Sequence, residues 1–257
     1  MRMIKVTHTN TATEKAMNSE KQLLRLLQLN GGTFPTGGFS QSWGLETYVA
    51  EGTVRDAGSF GEFLEVYLMT SIGNCEGPII CRAYELMEIM KVLHAAGEKE
   101  SDVIAAQLRN LEQLSNAVKV TKESREAGLR MGRAFGRVIE PIAGEEAMLP
   151  LHEVFGGMNI SYPVLYGCVC SILKLDREQA LAAYVFSTAN TLTQSALKLI
   201  PLGNVEAQQV LFEMDAYMEE VTRTCMETDV EHVTNFCPGI DIASLRHENL
   251  PVRLYMS

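Results

Sequence analysis

Residues 176–201 read DREQALAAYVFSTANTLTQSALKLIP, and their apolar side chains recur with the period of one long α-helix. The side chains that share this apolar face are Leu181, Tyr184, Val185, Thr188, Leu192 and Leu199. Asp176 and Gln179 have the spacing of a capping box at the start, and Pro201 marks the end. An amphipathic helix buries its apolar face against other elements, so this stretch favours an all-α fold.

The same periodicity recurs on both sides of this stretch. Further helices are predicted near residues 23–29, 60–68, 78–93, 104–118, 121–139, 163–173 and 210–225. Residues 140–160 are rich in Gly, Glu and Pro, which indicates a long loop or a broken helix. No segment alternates with period two for long enough to indicate a strand. The sequence therefore predicts a single compact bundle of about eight to ten helices.

Length and charge narrow the possible classes of protein. The chain has 257 residues, 46% hydrophobic residues and a net charge of −10, which suits one globular domain and disfavours binding to a nucleic-acid backbone. Residues 1–19 are polar, Thr-rich and without a signal-peptide core, and we expect them to be flexible. The helical domain is expected over residues 20–257, with a C-terminal tail from about 227 that orders on partner binding. The strongest apolar run, residues 164–173, is about half of a membrane span, so we expect a cytoplasmic protein with no membrane association.

The six cysteines do not form a pattern that indicates a disulfide framework. Cys168 and Cys170 lie close together, but on a helix they point about 200° apart and are better explained as packing thiols. Cys225, His232 and Cys237 form a looser set that could bind a soft metal ion transiently. Two packing thiols and a solvated histidine are the favoured interpretation. The sequence therefore predicts neither a metal site nor a cofactor.

The glycine-rich segment 31–44 matches neither of two catalytic motifs that contain glycines. A phosphate-binding loop needs a Lys after the glycines and a strand before them, and this segment has neither. A nucleophile elbow needs Gly on both sides of its serine, whereas Ser42 has Gly44 after it but Ser40 before it. These absences favour a protein that is not an enzyme.

Three segments remain unusual for a plain helical bundle. The first, the aromatic loop (residues 34–46), could plug the core or anchor a partner, and both interpretations stay open. The second is a basic stretch over residues 119–137, either a solvated helix face or a docking surface for an acidic partner. The third is the C-terminal segment 245–257, whose apolar ending is typical of a segment that orders against something. The candidate partner-binding residues are Phe34, Pro35, Phe39, Ser42, Trp43, Glu46, Arg125, Arg130, Arg133, Arg137, Arg246, His247, Glu248, Arg253 and Tyr255.

All three segments resemble the UreF family of urease accessory proteins. Five blocks of the chain are similar to the family pattern and occur in its order: residues 34–46, 124–133, 162–167, 198–203 and 246–255. The chain departs from the pattern at Phe39, where the family commonly has Tyr, at Ser161, where it often has His, and at Asn204-Val205. The departure at Phe39 puts any hydroxyl hydrogen bond at that position in doubt.

The resemblance implies a non-catalytic, all-α protein that forms a homodimer. It implies binding to UreD (UreH in some species), recruitment of the nickel-carrying GTPase UreG, and delivery of nickel into apo-urease. The main alternative is a helical-bundle enzyme with a small-molecule pocket under the glycine-rich loop. A direct nickel chaperone is a third reading, but it would call for a His-rich tract or a compact Cys/His motif.

Overall fold

The computed structural model describes residues 7–157 and 159–256, with side chains from residue 19 onward. Its α-helices are α1 (Thr7–Asn30), α2 (Leu45–Ala50), α3 (Ala57–Tyr67), α4 (Gly77–Ala96), α5 (Ser101–Ala117), α6 (Lys122–Ala143), α7 (Glu145–Phe155), α8 (Tyr162–Ile172), α9 (Arg177–Leu199), α10 (Asn204–Glu213), α11 (Asp215–Glu227) and α12 (Pro238–His247). A π-helical segment, Leu68–Glu76, joins α3 to α4, and no strand occurs in the described residues. The all-α prediction is confirmed.

The centre of the bundle is α8, in which every residue is buried. It packs most extensively against α4, with α6 on another side. Gly167 allows the close approach of α8 to α4, because a Cβ there would lie 2.4 Å from the carbonyl oxygen of Ile80. The predicted face of α9 is buried at Leu181 and Leu192. These helices form one continuous apolar core.

Several boundaries differ from the sequence prediction, and backbone geometry explains some of them. Residues 145–155 form α7, which is set apart from α6 by Gly144 at φ 90° and ends at Gly156 with φ 67°. The helix expected over 210–225 is instead two helices, because the chain turns at Met214. The helix cap of α3 is Asp56, which accepts from the Ser59 backbone N–H at 2.9 Å. Helix α1 begins at Thr7, and residues 1–6 lie outside the described residues, so the flexible N-terminal segment stays a prediction.

Candidate partner-binding surface

The aromatic loop divides its side chains between the core and the surface. Phe34 is buried and its ring lies 5.4 Å from that of Phe135, so this residue plugs the core. Pro35 is exposed, and Phe39 is 43% exposed. Trp43 is half-buried, with its ring 6.0 Å from that of Tyr67. Phe34 therefore plugs the core, whereas Pro35 and Phe39 lie at the surface, and the interpretation of the loop as a partner anchor stays a prediction for them.

The end of the loop is a tight turn that brings it against the C-terminal tail. Trp43 and Gly44 both have positive φ, 48° and 87°. A Cβ at Gly44 would lie 3.4 Å from the Ala243 Cβ and from the Ile240 carbonyl oxygen, both on α12. The Thr47 hydroxyl, on α2, donates to the Ala243 carbonyl oxygen at 2.8 Å. Glycine is therefore favoured at position 44, because its φ lies in the left-handed region.

The carboxylate of Glu46 holds the tail in place. Glu46 is buried, and its two oxygens accept hydrogen bonds from the Leu254 N–H at 2.7 Å and the Tyr255 N–H at 3.1 Å. One of them also lies 2.8 Å from His247 Nε2. The Ser42 hydroxyl oxygen accepts from the Glu46 N–H at 3.5 Å. The carboxylate of Glu46 therefore joins the loop, α12 and the end of the chain.

His247 continues this network to the basic helix. The side chain is fully buried, and its Nδ1 lies 3.1 Å from Glu123 Oε2, on α6. Glu123 Oε1 in turn lies 3.5 Å from the guanidinium of Arg253. Both ring nitrogens of His247 face carboxylate oxygens. The cluster Glu46–His247–Glu123–Arg253, here called the tail clamp, thus connects all three unusual segments.

The end of the tail packs on the body of the protein. Tyr255 is only 6% exposed, and the Met256 N–H donates to the Ser40 carbonyl oxygen at 2.8 Å. That the tail orders on partner binding stays a prediction. The guanidinium of Arg253 faces Glu123, at 3.5 Å from its Oε1. The two outer residues remain accessible: Arg246 reaches Glu51 at 3.0 Å, and Glu248 is exposed.

The basic stretch is partly structural. Arg125 donates to the carbonyl oxygens of Lys119 and Val120 at 2.7 and 2.8 Å, which fixes the connection between α5 and α6. Arg130 lies 3.6 Å from Glu126. Arg133 and Arg137 are exposed. Arg133 also donates to Asn159 Oδ1 at 3.0 Å. We call Arg130, Arg133 and Arg137 the basic stripe, because these three share one face of α6.

A half-enclosed cavity of about 70 Å³ lies beneath the aromatic loop, with Trp43 and Asp241 among its lining residues. Glu76 also lines the cavity. One of its carboxylate oxygens accepts from Lys119 Nζ at 2.6 Å, and the other accepts from the Tyr184 hydroxyl at 2.7 Å. Desolvation opposes the charge of Lys119, but the Glu76 carboxylate outweighs it, so the pKa of Lys119 is raised. Burial raises the pKa of Asp241.

Sequence reasoning missed Glu76, Lys119 and Glu123 as site residues. Lys119 and Glu123 entered only as charges of the basic stretch, and Glu76 lies in the unexpected π-helical segment. Another missed carboxylate is Glu112, which accepts from the Ser161 N–H at 3.0 Å and from its hydroxyl at 2.6 Å. That contact explains how the chain uses the serine at one of its departures from the family pattern.

The described part of the chain holds no cluster of three or more His, Cys, Asp or Glu side chains arranged to bind a metal ion. Its helices include none with the length and apolar content of a membrane span. All six cysteines are free and buried. Burial raises the pKa of Cys75, Cys81 and Cys170 to about 12.

We expect these buried thiols to react very slowly with Ellman's reagent at pH 8 while the chain is folded. A pKa near 12 lowers the reactive thiolate fraction on the order of a thousandfold relative to an ordinary cysteine. The measurement is the absorbance time course of the native chain beside a urea-unfolded sample, in which all six thiols should react. Rapid reaction of one thiol in the native sample would show an accessible, activated cysteine.

Comparison with known proteins identifies a family model and relatives that match most of the chain. The family model described as UreF matches residues 54–215. A protein of Bacillus sp. (strain TB-90), named "Urease accessory protein UreF", is 31% identical over 92% of this chain and 99% of its own length. Proteins of the same name from Geobacillus kaustophilus and Sporosarcina pasteurii are 31% and 29% identical, over 93% and 83% of this chain and 100% of their own lengths.

Proposed function

The chain belongs to the UreF family of urease accessory proteins, and we propose that it is a non-catalytic scaffold that binds UreD (UreH) and recruits the nickel-carrying GTPase UreG for nickel insertion into apo-urease. The observation that carries the proposal is the similarity to proteins named as urease accessory proteins over 92% of the chain. We further propose that the protein works in the cytoplasm and forms a homodimer. Nickel is the cargo of this assembly, and no resident metal is proposed for the chain.

The test is reconstitution with purified UreD and UreG, with masses measured by light scattering. We expect a complex containing this chain and UreD, which then takes up UreG, and no GTP hydrolysis or stoichiometric GTP binding by this chain alone. Light scattering of the chain alone measures the proposed dimer. Failure to associate with UreD, or a tight GTP site by calorimetry, would overturn the scaffold proposal.

The enzyme alternative gains little support from the cavity under the glycine-rich loop. A volume of about 70 Å³ accommodates only a few water molecules. Pockets for small-molecule ligands are several times larger, roughly 300–1,000 Å³. Moreover, two of the charged residues that line the cavity, Glu76 and Lys119, form an ion pair with each other. A polar cavity of this kind suits a structural role better than substrate binding.

We propose that UreD contacts the surface formed by the aromatic loop and the tail. Phe39 is 43% exposed, Leu254 is 67% exposed and Trp43 is half-buried. Met256, half-exposed, is bonded through its N–H to the loop residue Ser40. Exposed apolar side chains on a fixed backbone have the composition of interface anchors. The tail clamp therefore serves as the support that presents them.

The basic stripe gives a separate prediction. If it docks an acidic surface of UreG or urease, the double variant Arg133→Glu and Arg137→Glu should weaken assembly roughly tenfold or more, most strongly at low salt. The fold should survive, since both side chains are exposed. Assembly is measured by titration at two ionic strengths. A matched control is Arg55→Glu, which lies outside α6 and has a side chain that is 78% exposed. Equal assembly of the double variant and the wild type at low salt would reduce the stripe to a solvated face.

A further inference from the structure

Helices α3 and α4 belong to one continuous helical stretch, because the π-helical segment Leu68–Glu76 joins them without a break. π-helices are rare, usually occupy a single turn and are found frequently at functional sites. This one runs for nine residues. Its last residue, Glu76, forms the buried ion pair with Lys119. An unusual backbone therefore leads directly to a buried charge.

The end of the π-helical segment has fewer backbone donors than a regular helix. Pro78, the second residue of α4, has no N–H group and so cannot bond to a carbonyl oxygen one turn earlier. The Gly77 N–H bonds to the carbonyl oxygen of Ile72, five residues back, rather than to that of Gly73, four residues back. The carbonyl oxygens of Gly73 and Asn74 therefore need donors from outside the helix.

Those donors come from α11 and from the connection that follows it. The thiol of Cys225, on α11, lies 3.6 Å from the carbonyl oxygens of both Ile72 and Gly73. The Thr234 N–H donates to the Asn74 carbonyl oxygen at 3.0 Å. The π-helical pattern is therefore completed by groups that lie about 150 residues further along the chain.

The same backbone sets the direction of the Glu76 carboxylate, which accepts from Lys119 Nζ and from the Tyr184 hydroxyl. Each residue of an α-helix turns by about 100°, so a change of the hydrogen-bond pattern by one residue would turn Glu76 away from both donors. The next residue, Gly77, packs directly against α11, and a Cβ there would collide with the Cys225 sulfur. The thiol and the ion pair therefore hold adjacent residues of one helix.

Helix α11 connects this contact to the protein surface. Val221 and Cys225 are fully buried, and a Cβ at Gly73 of the π-helical segment would lie 3.8 Å from Val221. Glu219 and Arg223 point the other way, because two residues on a helix turn by about 200°, and both are exposed. A displacement of α11 at its exposed face would therefore move the thiol relative to the segment.

We propose that residues 68–77 form a two-state element that couples α11 to the buried ion pair beneath the aromatic loop. In the state of this structure, the Gly77 N–H bonds to Ile72. The Cys225 thiol then contacts the Gly73 carbonyl oxygen. In the other state, the Gly77 N–H bonds to Gly73 in the α-helical pattern, the thiol loses this acceptor and the ion pair opens. Moving α11 away from the segment favours the second state, and so does breaking the ion pair.

The test begins with Cys225→Ala in the full chain, which removes the thiol at one end of the element. Trp43 is the only tryptophan and lines the same cavity as Glu76, so its emission reports on the ion pair. We expect a shift of the Trp43 emission maximum. We also expect hydrogen exchange in residues 68–76 to become roughly tenfold faster relative to the amides of α8. Cys225→Ser, which keeps a donor, should behave like the wild type.

The reciprocal change is Lys119→Met, which breaks the ion pair at the other end of the element. It should speed exchange in residues 68–76, again relative to α8, by a similar factor, because coupling between two sites is reciprocal. The double variant Cys225→Ala and Lys119→Met should exchange there no faster than either single variant, since both changes favour the same state.

Cys168→Ala is the matched control for loss of a buried thiol. Cys168 lies on α8, is fully buried and donates to the Ala83 carbonyl oxygen at 3.8 Å, outside the π-helical segment. This variant should leave the Trp43 emission and the exchange of residues 68–76 unchanged, and thermal melts check that every variant is folded.

Three results would overturn the proposal. They are unchanged Trp43 emission in Cys225→Ala, an equal shift in Cys168→Ala, and additive effects on exchange in the double variant. If Cys225→Ala does not fold, Lys119→Met decides the question. Exchange in residues 68–76 that stays as slow as in the wild type, relative to α8, would then exclude the coupling.

Discussion

Replacing Lys119 by methionine is expected to lower the free energy of unfolding by about 3–5 kcal/mol, the cost of removing one partner of a buried ion pair. The Lys119 and Glu76 side chains are only 10% and 15% exposed, and their charged atoms are 2.6 Å apart. Without the ammonium, the Glu76 carboxylate stays in a half-enclosed cavity with the Tyr184 hydroxyl as its remaining donor. The variant can regain stability only by protonating or hydrating Glu76.

The measurement is chemical denaturation of Lys119→Met, Glu76→Gln and the double variant. Because the double variant leaves no buried charge, it should be more stable than Lys119→Met, which a simple loss of packing would not produce. Lys122→Met is the matched control, since Lys122 is 72% exposed and its Glu126 partner lies 3.7 Å away. Its effect should stay below about 1 kcal/mol. A similarly small effect at Lys119 would show that the pair is already well hydrated.

The pH dependence of this pair has a definite direction. The pKa of Lys119 is raised in the folded chain, so its stabilisation is complete below the pKa of an unfolded lysine, about 10.4. The contribution falls as the pH rises through the higher folded pKa. Above about pH 10.4 the wild type should therefore lose stability that Lys119→Met has already lost, and the difference between the two proteins should narrow.

The helical architecture followed from local patterns in the sequence. Helix α9 shows the apolar period of 3.6 residues, is capped by Asp176 and ends before Pro201. Each of these features depends on residues that are close together in the sequence. What was missed depends on distant contacts or single turns. The division between α10 and α11 occurs at Met214, without a Gly or Pro to mark it. The helix count in the described residues exceeds the predicted range partly for this reason.

The contacts of the candidate site depend on residues that are distant in the sequence, so the sequence alone did not predict them. The sequence identified Glu46, His247 and Arg253 as candidates, but not that they share one network, because about 200 residues separate Glu46 from His247. Glu123 completes the tail clamp, but in the sequence it is an acidic residue within the basic stretch, and nothing there indicates its role. The apolar ending of the chain predicts a segment that orders on a partner, which stays a prediction, and the sequence did not indicate that Tyr255 packs on the body. The buried carboxylates that accept hydrogen bonds from the tail lie far from it in the sequence, so only the folded structure shows the contact.

The tail clamp depends on Glu46 more than on any of its other members. The carboxylate accepts from two backbone N–H groups of the tail, at 2.7 and 3.1 Å, and contacts His247 at 2.8 Å. The contact between Arg246 and Glu51 is different, because both side chains are well exposed, 62% and 42%. Removing Glu51 therefore leaves no buried group without a partner, whereas removing Glu46 leaves a buried imidazole and two backbone donors.

We expect Glu46→Ala to release residues 248–256 from the body and to weaken UreD binding by at least about thirtyfold, because the interface anchors lose their support. Hydrogen exchange should show lost protection at the Leu254 and Tyr255 amides, while α8 amides stay protected. Glu51→Ala, the matched control, should retain both protection and binding. A Glu46→Ala protein that exchanges freely at the tail yet binds UreD at full strength would remove the tail from the interface. Loss of protection in α8 as well would show that Glu46 supports the whole fold rather than the tail.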